Sequence, residues 1–238
     1  IMGMKILVSI SLTLAIMLLF QGCSVRSEEQ VVNELTLLNE EKKAQEYNIS
    51  SQDSYAVFSG GCFWCVEQDF QKMNGVKEVL SGYTSNSTDD KTPYYRAVAS
   101  GKTNFRESVA VIYDESTVSY EELTRKFFTI HDPTDEGGSF YDRGFQYTSA
   151  IYYQNEKEQQ IALDIIEEYE KLNIFTKPII TSVEPLKNFY IAEEYHQEYA
   201  GKNPNQYRLY RLSSGRDDYI EEVEEKIEVS ISQDDITM

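Results

Sequence analysis

The sequence predicts an α+β fold, in the form of a single two-layer ferredoxin-like α/β sandwich domain that covers residues 54–215. Segments with the apolar patterns of strands interchange irregularly with segments whose apolar residues recur at helical spacing. There is no internal repeat and no strict strand–helix–strand order, which favours a sheet covered by helices over a doubly wound parallel sheet. The segment is long enough to form one hydrophobic core.

The first half of this domain contains three predicted strands and two predicted helices. The strands cover residues 55–59, 76–83 and 108–113. The first helix covers residues 62–73, because its apolar residues lie on one face before Asn74-Gly75. The second begins at the capping box Ser119-Tyr120-Glu121-Glu122 and ends before Asp132-Pro133. The polar, turn-rich residues 84–92 are predicted to form a loop.

The second half begins with a glycine-containing loop over residues 134–147. A strand is predicted at residues 149–153, and Asn155 then caps a long helix. A further strand at 179–184 and a last helix at 191–199 complete the domain.

The N-terminus is typical of an export signal. Lys5 precedes an apolar run of about fifteen residues, shorter than the roughly 20 of a membrane-spanning helix. The run ends at Gln21-Gly22-Cys23, which resembles a bacterial lipoprotein signal with Cys23 as the lipid anchor. Residues 1–23 are therefore expected to export the protein and hold it on the outer face of the cell membrane. A plain cleaved signal and an uncleaved anchor remain alternatives.

Two flanking segments differ in composition from the predicted domain. Residues 24–53 are charged and poor in large apolar residues, so they are expected to form a polar spacer. Residues 216–238 carry nine acidic and two basic side chains, which predicts an acidic tail that is a solvated face or a disordered extension. The net charge of −18 repels phosphate backbones and excludes nucleic acid as an expected partner.

Of the three cysteines, Cys62 and Cys65 form a C-x-x-C pair. This spacing places both side chains on one face of a helix, about 5–6 Å apart at Cβ. A disulfide there closes a very short ring and constrains little chain, so the pair favours a redox role. Gly60-Gly61 bends the chain before Cys62, and the helix N-terminus is expected to stabilise a Cys62 thiolate.

C-x-x-C alone leaves two other interpretations open. The pair could form half of a zinc site that His131 and His196 complete, although the Phe63-Trp64 insert has no role in such a site. It could also belong to a thioredoxin-like oxidoreductase, for which the chain offers no clear proline facing the disulfide.

A longer set of motifs resembles the A-type peptide-methionine sulfoxide reductases over residues 56–215. The resemblance begins with Gly60-Gly61-Cys62-Phe63-Trp64. It continues, in the same order, with Ser81-Gly82-Tyr83, Pro93-Tyr94-Tyr95, Arg106-Glu107, His131-Asp132-Pro133-Thr134, Asp142-Arg143-Gly144, Gln146-Tyr147 and Tyr195-His196-Gln197. Two departures are Cys65 in place of a usual glycine and Asn104-Phe105-Arg106 in place of a Gly-His-Ala type run.

The resemblance implies a role for each matching residue. It implies that Cys62 is the nucleophile and Cys65 the resolving thiol, and that Glu107 is the acid. The sulfoxide oxygen would be bound by Tyr95 and Tyr147, with Asp142 as the site aspartate. The substrate methyl group would rest on Phe63 and Trp64.

The implied reaction reduces methionine S-sulfoxide, free or in proteins, through a sulfenic acid and a Cys62–Cys65 disulfide. No metal or other cofactor is expected; a thioredoxin-like donor or another dithiol would recycle the enzyme. The expected partners are oxidised methionine-containing proteins, that reductant and, through the N-terminus, the membrane. The alternative functions are a general surface thiol–disulfide oxidoreductase and a non-catalytic, zinc-stapled surface lipoprotein.

Overall fold

A computed structural model describes residues 45–46, 54–87 and 92–237. The predicted signal segment, Cys23 and most of the predicted spacer lie outside the described residues. The described chain forms a mixed α+β domain with a central sheet, which confirms the predicted fold class.

A seven-stranded sheet organises the domain, in the order β1-β9-β3-β4-β2-β7-β8. All neighbours are antiparallel except β7 and β8. Its strands are β1 (Gln45–Glu46), β2 (Ser54–Ser59), β3 (Val76–Thr84), β4 (Arg106–Tyr113), β7 (Ala150–Tyr153), β8 (Ser182–Pro185) and β9 (Tyr190–Ile191). A separate hairpin pairs β5 (Gly138–Ser139) with β6 (Asp142–Arg143). β1 lies within the predicted spacer, so two residues of that segment pair with β9 at the edge of the sheet.

Seven helices occur in the described residues. They are α1 (Phe63–Phe70), α2 (Tyr95–Ala99), α3 (Tyr120–Thr129), α4 (Glu156–Lys171), α5 (Tyr199–Lys202), α6 (Pro204–Ser214) and α7 (Arg216–Thr237). Short 3-10 helices cover Phe145–Tyr147 and Glu194–His196. Across the described ranges, no helix combines the length and the apolarity needed to span a membrane.

The alternation of side chains along β2 explains the two layers. Ala56 and Phe58 face the main core, in which the rings of Phe70 and Phe127 stack on Phe58 at centroid distances of 5.2 and 4.8 Å. Val57 points to the opposite face and joins a smaller apolar cluster. Successive residues of a strand face opposite sides, so one strand serves both layers.

Side-chain caps fix the starts of two predicted helices. At α3, the Ser119 hydroxyl accepts from the Glu122 N–H at 3.2 Å, and the Glu122 carboxylate accepts from the Ser119 N–H at 2.7 Å. At α4, Asn155 accepts from the Glu158 N–H at 3.0 Å. These bonds satisfy N–H groups that have no partner within the helix. The predictions from the capping box and from Asn155 are confirmed.

The prediction of one last helix at residues 191–199 is wrong. This segment contains β9 and a short 3-10 helix, and Glu198 adopts a left-handed φ of 53°. The Gln197 side chain donates to the carbonyls of Ser81 and Ala192, at 2.9 Å each, and so ties the segment to β3. The apolar residues at helical spacing in this segment therefore belong to chain that packs on the sheet and do not form the predicted helix.

The acidic segment after Gly215 is also more ordered than expected. It forms α7, whose first residue, Arg216, is fully buried and whose Val223 lies in the main core. Lys126 of α3 donates to Glu224 at 2.7 Å. Apolar residues at helical spacing bind this acidic helix to the domain, so the packed structure continues past residue 215.

α6 is tied to α1 by a buried ion pair. Arg211 donates to both oxygens of Asp69, at 2.7 and 3.1 Å, and Arg211 and Asp69 are almost fully buried. Replacing Arg211 by methionine leaves the Asp69 carboxylate buried with only Lys72 beside it. We expect the free energy of unfolding in urea to fall by about 3 kcal/mol. The matched control is Lys171→Met in the exposed Lys171–Glu167 pair, for which we expect no measurable change; equal losses in both variants would contradict this account.

Candidate active site

Two glycines form the turn between β2 and α1. A Cβ on Gly60 would lie 2.8 Å from the ring of Phe127, closer than atoms pack without a shift. Gly61 has a φ of 93°, and a Cβ there would lie 2.7 Å from Cβ of Ser139. Only glycine fits both positions without strain. The turn delivers Cys62 to the N-cap of α1.

The cysteine pair lies at this helix start, unbridged and buried, with Cys62 only 4% exposed. The two side chains hydrogen-bond each other. Burial raises the pKa of Cys62 well above its ordinary value, and Cys65, Glu107 and Asp142 raise it further. The hydrogen bond from Cys62, followed by Arg216 and Arg211, lowers the pKa of Cys65 to about 6. Within the pair, a negative charge is therefore favoured on Cys65, with Cys62 as the hydrogen-bond donor.

The expectation that the helix N-terminus lowers the pKa of Cys62 is therefore wrong for the resting pair. The Cys62 side chain makes no cap hydrogen bond, and the Phe63 N–H donates at 3.1 Å to Oε2 of Glu107. The helix start thus binds a carboxyl group, while burial opposes a charge on Cys62.

Glu107 projects from the start of β4 toward α1 and is 2% exposed. Burial raises its pKa well above the ordinary value; the Phe63 N–H opposes this, while Asp142 and Cys65 raise it further. Burial therefore favours the protonated form of this carboxyl group. Because Oε2 accepts from Phe63, a protonated Glu107 has its other oxygen available to donate.

Tyr95 and Tyr147 approach the same point from α2 and from the 3-10 helix after β6. The pKa of each phenol is raised by burial first and then by Glu107, with a further contribution from Cys62. Both remain neutral hydrogen-bond donors. The backbone N–H of Tyr95 donates to Glu193 at 2.8 Å, which anchors α2.

Phe63 and Trp64 begin α1 and form an aromatic cluster. The ring of Phe63 is buried beside Tyr83 and His196, at centroid distances of 5.8 and 5.0 Å. Trp64 stacks on Tyr199 at 3.7 Å and donates from Nε1 to Nδ1 of His196 at 3.1 Å. His196 therefore orients the tryptophan.

Asp142 lies in β6 and is bound by a residue that the sequence did not single out. Tyr210 of α6 donates its hydroxyl to Oδ2 of Asp142. Burial raises the pKa of Asp142, and Tyr210 and Arg216 oppose that rise. The ring of Tyr210 also packs edge-on against Trp64, at a centroid distance of 6.3 Å.

Comparison with known proteins places this site in a family. The profile of the family described as peptide methionine sulfoxide reductase matches residues 54–228. The chain belongs to this family. The match confirms the resemblance predicted from the motifs, and it extends into α7.

Named relatives of the peptide methionine sulfoxide reductase family agree with this assignment. The MsrA proteins of Bacillus velezensis and MsrA 2 of Staphylococcus aureus are each 41% identical to the chain, over 73% and 70% of its length and 97% and 93% of theirs. The MsrA/MsrB protein of Vibrio cholerae is 44% identical over 73% of this chain, and the match spans only 46% of that protein.

Solved structures of the family share the fold. Reduced Mxr1 from Saccharomyces cerevisiae matches with a TM-score of 0.61 and 33% identity, over 67% of this chain and 90% of that one. Methionine sulfoxide reductase A of Corynebacterium diphtheriae matches with a TM-score of 0.60 and 32% identity, over 68% and 82%.

The structure brings the predicted residues of this reductase together and adds others from the C-terminal helices. Glu107, Asp142, Tyr95 and Tyr147 all interact electrostatically with Cys62 or Cys65. The residues that sequence reasoning missed are Tyr207, Tyr210, Arg211 and Arg216. A signal was present, because Pro204 begins α6 at the position that proline favours and Gly215 ends it with a φ of 68°.

The histidines of the alternative zinc site have other partners. His131 is buried between the Phe127 carbonyl at 2.7 Å and the Thr181 hydroxyl at 3.2 Å, and His196 accepts from Trp64. No group of three or more side chains suited to a metal occurs within residues 54–87 and 92–237. The hypothesis of a zinc-stapled domain therefore finds no support in the described chain.

Proposed function

We propose that this enzyme reduces methionine S-sulfoxide, free or in proteins, with Cys62 as nucleophile and Glu107 as proton donor. The observation that carries the proposal is that the buried cysteine pair and the buried Glu107 carboxyl group meet at the start of α1, where burial raises the pKa of Glu107 and Cys62 lowers the pKa of Cys65. A sulfoxide needs both groups, because a thiolate attacks its sulfur only as its oxygen takes up a proton.

In the first step, the proton that Cys62 shares with Cys65 moves to Cys65, and the Cys62 sulfur attacks the sulfoxide sulfur. Glu107 gives its proton to the oxygen as negative charge builds there. Tyr95 and Tyr147 stabilise that charge with their hydroxyl groups. The S–O bond breaks and the hydroxyl passes to the Cys62 sulfur as a sulfenic acid. The bond between Cys62 and the methionine sulfur breaks at the same time, and methionine leaves as the two-electron reduced product.

In the second step, Cys65 resolves the sulfenic acid. Cys65 passes the proton that it received in the first step to the Glu107 carboxylate, its sulfur attacks the Cys62 sulfur, the S–O bond breaks, and hydroxide takes that proton and leaves as water. Arg216 and Arg211 support this role, because both lower the pKa of Cys65 independently of the hydrogen bond from Cys62. The product is a Cys62–Cys65 disulfide, which carries the two oxidising equivalents of the sulfoxide.

An external dithiol must then reduce this disulfide, and we propose a thioredoxin-like donor. Its thiolate attacks one cysteine sulfur to form a mixed disulfide, which its second thiol releases. All electrons come from thiols, so the proposal includes no metal or organic cofactor.

Selection of the substrate would depend on Phe63 and Trp64. Their rings are fixed by Tyr83, His196 and Tyr199, which supports a rigid apolar seat for a methyl group. With the oxygen bound by Tyr95 and Tyr147 and the methyl group on this seat, only one handedness of the sulfoxide presents its sulfur to Cys62.

The location of the enzyme is a second proposal, which is supported by the sequence alone. Lys5, the apolar run and Gln21-Gly22-Cys23 support export and a lipid on Cys23 that holds the protein on the outer face of the membrane. In expressing cells, incorporation of labelled palmitate that Cys23→Ser abolishes would support the lipid anchor. A labelled Cys23→Ser chain, or no label in either chain, would contradict it.

The function is tested with the purified chain, dithiothreitol as reductant, and the two sulfoxide epimers of an N-blocked methionine. The proposal expects turnover of the S epimer only. The alternative, a general thiol–disulfide oxidoreductase, predicts reduction of insulin disulfides at a rate that sulfoxides do not affect. Rapid insulin reduction without consumption of either epimer would replace the proposed function with this alternative.

A further inference from the structure

Arg216 is a buried cation without a matching carboxylate. Its side chain is 0% exposed, Nη1 donates to the Ile130 carbonyl at 2.5 Å, and Cζ lies 4.4 Å from the ring centroid of Phe140. Nε and Nη2 are buried and make no hydrogen bond to any residue that the structure describes. Burying an unpaired charge is costly, so the guanidinium requires a negative charge nearby.

The unpaired edge of Arg216 faces the turn before the nucleophile. A Cβ built on Gly61 would lie 3.1 Å from Nη2 of Arg216 and 3.2 Å from Oγ of Ser139. Ser139 Oγ is likewise buried without a hydrogen-bond partner in the described ranges. The absence of a side chain at residue 61 thus lets two unsatisfied polar groups approach the backbone next to Cys62.

Titratable groups reach the cysteine pair from every element packed around it. They are Glu107 from β4, Asp142 from β6, Tyr95 from α2, Tyr147 from the 3-10 helix, Tyr207, Tyr210 and Arg211 from α6, and Arg216 from α7. Only two of these are cations. The carboxylates and burial alone would keep both thiols protonated.

The two cations differ in how they are balanced. Arg211 binds Asp69 at 2.7 Å and Asp217 at 2.7 Å, so its charge is already offset by two carboxylates. Arg216 has no carboxylate at hydrogen-bond distance in the described chain, and the acid that it influences, Asp142, is bound by Tyr210. The negative groups on which Arg216 acts are therefore Asp142 and the cysteine pair.

We propose that Arg216 is the positioning residue whose charge keeps one sulfur of the Cys62–Cys65 pair ionised, with Arg211 in a supporting role. The importance of this ionised sulfur for catalysis rests on the proposed function. Arg216 contributes to lowering the pKa of Cys65 after the hydrogen bond from Cys62; its charge acts ahead of the charge of Arg211, which also hydrogen-bonds Cys65. The first residue of the acidic C-terminal helix would thus supply the countercharge of the redox centre.

The test measures the ionisation of the pair without any sulfoxide. In the reduced full-length chain carrying Cys23→Ser, Cys62 and Cys65 are the only thiols, and their alkylation by iodoacetamide is followed against pH, with mass spectrometry to locate the label. We expect Arg216→Gln to shift the profile upward by about 1 to 3 pH units. Arg216→Lys, which keeps the charge, should restore most of the shift. Arg208→Gln, which removes an exposed arginine from the same region, should leave the profile unchanged.

A profile of folded Arg216→Gln that superimposes on the parent profile would overturn the proposal, as would an equal shift in Arg208→Gln. If Arg216→Gln does not fold, the proposal is tested instead by the pH dependence of thiolate absorbance in the reduced chain that keeps Arg216. A midpoint well below about 8.5 is expected, and one at or above that value leaves no thiolate for Arg216 to balance. A chain that reduces no sulfoxide would overturn the proposed function, whereas the pH profile alone decides the role of Arg216.

Discussion

Replacing Cys62 by serine is expected to abolish methionine sulfoxide reduction, with a fall in kcat/KM of more than about 1000-fold. A serine hydroxyl is not ionised at neutral pH and cannot form the sulfenic acid on which the second step depends. The variant should fold normally, because the Cys62 side chain makes no cap hydrogen bond to α1. Activity is measured as loss of the S epimer with dithiothreitol as reductant.

Cys65→Ser is the matched control for this prediction. It removes the neighbouring thiol but keeps the nucleophile, so one equivalent of methionine should still form per chain. Cys62 should then remain as a sulfenic acid, which a dimedone-type reagent traps. Turnover by Cys62→Ser, or a Cys65→Ser chain that makes no first equivalent, would contradict the assigned roles.

Replacing Glu107 by glutamine is expected to lower kcat about 100- to 10,000-fold, the range of a lost general acid. Glutamine keeps an oxygen that can accept from the Phe63 N–H, so the start of α1 should hold its geometry. The effect is assigned to the proton rather than to packing, because glutamine fills the same space and burial raises the pKa of Glu107, which favours its protonated form.

The pH profile of activity separates loss of the Glu107 proton from a change in packing. Burial raises the pKa of Glu107, so activity that needs its proton is present below that pKa and is lost as pH rises through it. Activity that needs a thiolate instead increases as pH rises through the range in which the cysteine pair loses a proton; the lowered pKa of Cys65 moves that range downward. The residual activity of Glu107→Gln should keep the acid limb and lose the alkaline one.

Glu158→Gln provides the control for the glutamate substitution. Burial also raises the pKa of Glu158, but its carboxylate accepts from the Gln154 N–H before α4 and lies near Tyr55, which pairs with the end of β4 opposite Glu107. It should alter stability without changing the pH profile of activity. A Glu107→Gln enzyme with an unchanged alkaline limb would show that another group supplies the proton.

The sequence predicted the parts of the site that depend on local chemistry. Gly60-Gly61, Cys62 and Cys65 are close in the chain, and a tight turn before a helix is specified by those residues themselves. The strands around them were predicted because their apolar residues alternate or run continuously. Glu107, by contrast, became a candidate only through the family resemblance, since a single acid at a strand start carries no signal of burial.

The C-terminal half of the site could not be predicted in the same way. α6 turns Tyr207, Tyr210 and Arg211 toward the cysteine pair while Leu209 and Leu212 are exposed, so its pattern inverts the usual amphipathic one. A hydrophobic periodicity search expects apolar residues inward and finds the wrong face.

Arg216 illustrates a second limit. It stands at the start of a segment with nine acidic residues, where composition predicts solvation. Its burial depends on a carbonyl of residue 130 and a ring of residue 140, which only the tertiary structure brings to it. Charge composition describes a segment as a whole and does not identify one buried member.

The central claim, that the cysteine pair takes up the oxidising equivalents of the sulfoxide, is tested most directly by a single-turnover titration. The reduced chain is mixed with one equivalent of the S epimer without reductant, then quenched with acid and analysed by mass spectrometry. One methionine and one Cys62–Cys65 disulfide should form per chain, with loss of two free thiols. Formation of methionine while both thiols remain free would contradict the account.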